Sequence, residues 1–207
     1  MHKKYFSLIR MSAAILLSGL LLSACLGGSG GTIRYYLVNP VDFSPVSKVQ
    51  DKKLAIEIIN LHVPQYLEHS QIAVRTGENS LQFSEFNQWG ENLRKNLMRT
   101  MARNLAVLLS SADIATPLNR SSSIPDYRLE IYIDQFEQGS DGLVRLAARW
   151  QLVDAASSEP LGMHSADLDS RERIPGRNYD QMVSAMRDLY GQLSRMIADN
   201  IVQAAGG

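Results

Sequence analysis

The sequence predicts an α+β fold: a mainly antiparallel sheet with two long amphipathic helices packed on one face, forming a single domain behind a signal peptide. Apolar residues alternate with period two in several short segments and recur every three or four residues in two long ones. Both kinds of segment are apolar on one side only, so each needs the other as cover. A chain of 207 residues that is 45% hydrophobic and 20% charged has the material for one such core, and the same composition excludes a disordered tail.

Taken in chain order, Ile33 to Val38 is a short strand, and Asn39 to Lys53, with Pro40 and Pro45, is a loop. Leu54, Ile56 and Ile58 share one face of a half-buried strand running to Ile59. Gln71 to Arg75 and Ser80 to Phe83 flank Thr76-Gly77-Glu78-Asn79, the layout of a β-hairpin. The period then changes: Trp89, Leu93, Leu97, Met101, Leu105 and Leu108 mark one face of a helix ending near Ser110. Ser84 is placed as its N-cap, and Glu91 stands four residues before Lys95 in the favourable order. Lys95, Arg99 and Arg103 form a basic stripe on the opposite side, read as a solvated face rather than a lipid-headgroup contact.

Beyond the Ser-rich connection from Ser121 to Pro125, the scheme returns. Tyr127, Leu129, Ile131 and Ile133 alternate on one strand, and Val144, Leu146, Ala148, Trp150 and Leu152 on the next, with Gly139 and Gly142 at the turn. A weaker strand covers Leu161 to Leu168. Asn178 caps a second helix with the stripe Met182, Met186, Leu189, Leu193, Met196, Ile197 and Ile201, whose methionines read as core filler. The two halves share a strand-then-helix order but no residue-level repeat.

The N-terminus reads as an address. Lys3, Lys4 and Arg10 precede an apolar stretch from Met11 to Leu22, and Leu22-Ser23-Ala24-Cys25 follows. That string resembles the bacterial lipobox, in which the cysteine is acylated and becomes the first residue after cleavage. The expected division is therefore 1–24 signal peptide, 25–32 lipidated Cys25 with a Gly/Ser tether, and 33–207 folded domain. The one cysteine of the chain excludes an intramolecular disulfide. Leu26 rather than Asp after Cys25 implies the periplasmic face of the outer membrane as the destination, reached through the acyl chains of Cys25. The seven residues from Leu26 to Thr32 have a root-mean-square reach of roughly 15 Å, which holds the domain close to the membrane.

The chemistry-bearing motifs are sparse. Removing the leader leaves 18 basic and 21 acidic residues, a formal charge of −3 that gives no footprint for nucleic acid. Gly27-Gly28-Ser29-Gly30-Gly31 spells the G-x-S-x-G nucleophile elbow, but it lies in a tether with no strand or helix to strain the serine. His62, His69 and His164 have no companion at a ligand-like spacing, so no metal is expected, and His164 reads as an exposed side chain. Asp167 and Asp169 share a strand face, the minimum for a carboxylate pair, yet stand in a mixed-charge stretch typical of a surface. No cofactor is expected beyond the covalent lipid on Cys25, and the reading is of a protein that is not an enzyme.

Three segments carry a resemblance: Tyr35-Tyr36-Leu37; Val63-Pro64-Gln65-Tyr66-Leu67-Glu68 followed by Gln71-Ile72-Ala73-Val74-Arg75; and Phe86-Asn87-Gln88-Trp89-Gly90-Glu91-Asn92-Leu93. In order and spacing they resemble the PqiC/YmbA family, the auxiliary lipoproteins of MCE-type intermembrane lipid transport systems, over essentially the whole mature chain. His69-Ser70 replaces an expected Arg-Pro and Asn92 a common proline, which marks a divergent member. The resemblance implies a non-catalytic subunit on the outer-membrane side of a periplasm-spanning MCE-domain protein, itself coupled to an inner-membrane component. A homo-oligomeric ring would suit such a tube-shaped partner. Val63, Pro64, Tyr66 and Leu67 are the expected partner contacts, as exposed apolar residues of a loop, with Tyr66 and Leu67 tucked under the sheet edge as the competing arrangement. The alternative function is a stand-alone periplasmic lipoprotein that binds a small hydrophobic ligand.

Overall fold

The structure is a computed structural model that describes residues 31–43, 54–121 and 123–206. The signal peptide, Cys25, most of the tether and its G-x-S-x-G string lie outside the described residues, as do the later part of the Asn39 to Lys53 loop and Ser122. Chain order is β1 (Arg34–Tyr36), β2 (Ile56–His62), a 3₁₀ turn (Gln65–Glu68), β3 (Gln71–Gly77), β4 (Ser80–Trp89), α1 (Leu93–Leu108), β5 (Ile114–Ala115), β6 (Tyr127–Gln138), β7 (Val144–Asp154), β8 (Pro160–Asp169) and α2 (Tyr179–Ala205). The fold is α+β, an open eight-stranded sheet with two helices.

β6 is the spine. Its alternating Tyr127, Leu129, Ile131 and Ile133 are buried, and Val144, Leu146, Ala148, Trp150 and Leu152 on β7 are buried on the same face. Burying each large aliphatic side chain contributes about 1.5–3 kcal/mol. The antiparallel ladder with β7 runs the whole length of β6, and β7 is in turn paired antiparallel with β8. A strand has two edges, so everything else that pairs with β6 shares the other one. β2 runs parallel to it from Tyr127 to Tyr132, and β3 joins it only at Gln138. β4 closes a hairpin on β3, β1 lies parallel to the end of β4, and β5 lies parallel to the start of β2. The three hairpin ladders carry most of the paired residues, which makes the sheet mainly antiparallel despite its parallel joints.

Both helices cover the apolar face. α1 buries Leu93, Leu97, Met101, Leu105 and Leu108; α2 buries Met182, Met186, Leu189, Leu193, Ile197 and Ile201. The two helices pack on each other, α1 against β2 and α2 against β6, β7 and β8. Tyr190 is fully buried between them and donates its hydroxyl to the Leu97 carbonyl at 3.0 Å. Between β1 and Phe43 the chain forms a strap over the helix pair. Asn96 accepts from the Val38 amide at 2.8 Å, Thr100 donates to the Val38 carbonyl at 2.7 Å, and Asn104 accepts from the Val41 amide at 3.2 Å. Asn104 also donates to Ser194 on α2 at 2.9 Å. Gly191 is what lets the strap sit so low: a Cβ there would lie 2.7 Å from Val41 Cγ2.

Several boundaries differ from expectation. Trp89 is buried but closes β4, which is longer than the Ser80 to Phe83 segment; α1 therefore starts at Leu93, and its cap is Asn92, which accepts from the Lys95 amide at 3.2 Å. Ser84 instead caps a local turn within β4, where its hydroxyl accepts from the Asn87 amide at 3.0 Å. Glu91 lies outside the helix and pairs with Arg99 rather than Lys95. Met196 is exposed, one step off the buried stripe, whereas Met182 and Met186 are core. Asn178 caps α2 as expected, accepting from the Gln181 amide at 3.2 Å.

Candidate functional site

β2 and β3 meet the same edge of β6 at different heights, so five residues of that edge, Ile133 to Glu137, have no strand partner there. The segment from Val63 to Ser70 spans this interval. It makes one 3₁₀ turn, with the Leu67 amide donating to the Pro64 carbonyl at 2.9 Å. Leu67 is 2% exposed, while Val63 and Tyr66 are half-buried and packed against the core. The exposed apolar side chains expected at Val63, Pro64, Tyr66 and Leu67 are thus turned inward or half covered, with the turn packed against α1 and β3.

The turn is fastened by a buried carboxylate. A β-bulge between Ile133 and Gln135 shifts the alternation of β6: Phe136 and Gln138 stand opposite Leu146 and Val144, Glu137 stands opposite Arg145 on the other face, and all three are buried. Glu137, with a fully buried side chain, accepts from the Tyr66 hydroxyl at 2.7 Å, Arg75 Nε at 2.8 Å, Gln135 Nε2 at 3.0 Å and the Phe136 amide at 3.1 Å. A buried charge without such partners would be strongly destabilising. Burial, and then the hydrogen bond to Glu137, push the Tyr66 phenol well above its ordinary pKa, and the hydrogen bond to Glu137 keeps Arg75 cationic. The cluster joins the 3₁₀ turn, β3 and β6. Glu137 was not legible as a site residue.

The remaining sequence candidates are scattered. His62 stacks on Tyr132 and pairs with Glu130 at 2.8 Å; exposed His69 stacks on Phe83; His164 is half-buried rather than exposed, stacked on Trp150 across the β7–β8 ladder. Asp167 and Asp169 are exposed, and Asp169 lies 3.5 Å from Arg145. Among the described residues no group of His, Cys, Asp and Glu is arranged to hold a metal ion.

A concavity of about 690 Å³ lies on the helix side, between α2, the Ser170 to Pro175 linker and the end of the strap. Val41, Phe43, Ile174 and Leu189 line it, and the Arg195 guanidinium sits over the Phe43 ring at 5.0 Å. Gln138, donating to the Ile174 carbonyl at 2.9 Å, fixes the linker that forms one wall.

The chain matches the model of a family described as the ABC-type transport auxiliary lipoprotein component over residues 35–198, which spans every element from the middle of β1 to most of α2. It belongs to that family. This is the PqiC/YmbA-type grouping indicated by the three sequence segments, and it is a family of transport auxiliary lipoproteins rather than of enzymes. The solved structures agree on the fold. A crystal structure of an uncharacterized protein superimposes with a TM-score of 0.65 at 21% identity, covering 83% of this chain and 99% of that one. A protein from Xanthomonas campestris gives a TM-score of 0.66 at 14% identity, covering 81% and 93%. No curated protein matches the chain in sequence. Among the described residues no helix is long and apolar enough to cross a membrane.

Proposed function

We propose that this lipoprotein is acylated at Cys25, held on the periplasmic face of the outer membrane, and serves as a non-catalytic subunit of an MCE-type intermembrane lipid transport system. The observation that carries the reading is the family match across residues 35–198 to an auxiliary lipoprotein of ABC-type transport. The lipobox at Leu22 to Cys25 and the short tether support the address. The titratable clusters support a non-catalytic role: the buried one is built around a carboxylate fully occupied by structural donors. In this role the domain docks on an MCE-domain periplasmic protein linked to an inner-membrane component, and supports envelope integrity by helping lipid pass between the membranes. A symmetric ring of copies would match a tube-shaped partner.

The test is purification of the full-length lipoprotein from its native envelope after light crosslinking, with mass spectrometry of what is retained. An MCE-domain protein is expected. Recovery of the lipoprotein alone, with crosslinking controls working, overturns the subunit reading. A second reading, a stand-alone lipoprotein that binds a small hydrophobic ligand, is favoured by the groove at Val41, Phe43 and Leu189. Co-extracted lipid in the isolated monomer, lost on Leu189→Arg, is its expected signature.

A further inference from the structure

The open face of the sheet carries one apolar patch at the point where the tether enters the fold. Arg34 and Tyr36 point toward α2, where Arg34 pairs with Asp180 at 2.9 Å and Tyr36 packs on Tyr179. Alternation sends Ile33, Tyr35 and Leu37 to the other side. The parallel register sets Tyr35 beside Gln88 and Arg34 beside Asn87, so one further step sets Ile33 beside Phe86 on that same side. Tyr35 is 65% exposed, Ile33 43%, Phe86 42% and Leu37 41%. The next polar neighbours across the strands are Gln88 and Gln71, both uncharged. Other exposed apolar side chains such as Leu118 stand elsewhere; Leu118 follows β5, at the opposite end of the strand order from β1.

We infer that this patch of Ile33, Tyr35, Leu37 and Phe86 rests in the interfacial layer of the membrane that holds the lipid anchor. The inference depends on the acylation of Cys25 proposed above. Only seven residues separate Cys25 from Ile33, the first residue of the patch, so a surface anchored at Cys25 is never far from it. Such a short link gives the patch a millimolar effective concentration at the bilayer, so a contact too weak to bind in free solution is occupied when tethered. Tyrosine and phenylalanine suit that layer, with an apolar ring body and, for tyrosine, a polar tip. The patch side chains and their cross-strand neighbours Gln88 and Gln71 carry no charge, and the adjacent Arg34 is paired with Asp180, which points to zwitterionic headgroup and upper acyl chain with no requirement for anionic lipid. Seating the patch would set the orientation of the domain, edge strand down, which a flexible tether alone does not.

The experiment reconstitutes the full-length acylated lipoprotein into phosphatidylcholine vesicles containing brominated acyl chains. Tyr35→Trp and, separately, Phe86→Trp report on the patch, and Leu118→Trp is the reference at the far edge; wild-type emission from buried Trp89 and Trp150 is the background. Expected is a blue shift on reconstitution and loss of most of the added emission to bromine for Tyr35→Trp and Phe86→Trp, unchanged by high salt, with neither effect for Leu118→Trp. Unquenched emission from both patch variants in protein whose mass shows acyl chains on Cys25 overturns the inference alone. A blue shift without quenching assigns the patch to a protein surface, a second copy or another partner, and likewise overturns it. Missing acyl chains overturn the anchoring reading and this inference with it.

Discussion

The two sides of β6 are built in different ways. Toward β7 and β8 the joints are long antiparallel ladders, each with one register shift, over a mostly apolar face. Toward β3 and β4 the backbone joint is a single residue pair, Val74 with Gln138, and the interval before it is closed by Leu67, Tyr66 and Arg75 gathered on Glu137. The contrast shows how a sheet branches on one edge of a strand: where the ladder stops, a buried carboxylate replaces it as the organising acceptor. It also recasts the segment from Val63 to Glu68 as a structural closure first, whatever else its outer surface touches.

The largest effect expected from breaking this comparison is on the ladder side. Ile131→Ala should cost about 4 kcal/mol in urea unfolding and lower the whole domain in one transition, since its side chain is fully buried at the centre of β6. Arg75→Ala should cost about 3 kcal/mol by leaving Glu137 buried without its cation. Its signature is regional: amides of β3 and β4 exchange faster while the β6–β7 ladder keeps its protection. In a Glu137→Gln background the same change should cost much less, and an undiminished cost would show that Arg75 acts through packing alone. Tyr66→Phe should cost about 1.5 kcal/mol, the loss of one hydrogen bond to a charged acceptor.

Alkaline unfolding sharpens the same contrast. The Tyr66 and Tyr190 phenols are both held above their ordinary value of 10.0, Tyr66 by burial and then by Glu137, Tyr190 by complete burial. A phenol with a raised folded-state pKa contributes its full stability below pH 10 and loses it as pH rises through the folded value. Stability measured by urea midpoints should therefore decline above pH 10, and less steeply in Tyr66→Phe and Tyr190→Phe. The smallest effect on stability is expected from Cys25→Ser, which should leave the unfolding curve unchanged and release the protein from the membrane fraction.

The ladder side was readable because its period is uniform: Val144 to Leu152 alternates without interruption, and the α1 and α2 stripes differ from the buried set only at Met196. The closure was not, although a trace of it was present. On β6 the apolar positions jump from Ile133 to Phe136 while their partners on β7 keep strict alternation, and that mismatch is the signature of the bulge, which sets Phe136 and Gln138 opposite Leu146 and Val144 and sends Glu137, opposite Arg145, to the other face. Counting the extra residue puts Glu137 on the face away from Leu146 and Val144, and its burial there by Tyr66 and Arg75 is a tertiary contact that no spacing in β6 announces. The end of β4 was misplaced for a related reason: Trp89 fits the helical stripe by spacing, but Glu85 to Gln88 before it, with Phe86 their one apolar residue, belong to the strand. Asn92, noted only as a departure from proline, is the helix cap because its side chain, unlike that of proline, accepts a backbone amide.

The strap has a mechanical consequence for a protein tethered at its N-terminal end. Tension on the tether first reaches β1, whose parallel pairing with β4 brings the two chain directions into line. It then passes to Val38 and Val41, which are bolted to Asn96, Thr100 and Asn104 of α1 and, through Asn104, to Ser194 of α2. Force is thereby spread over two helices before it reaches the β6 spine. The β1–β4 edge and the two helices take up the pull before the β6 spine does.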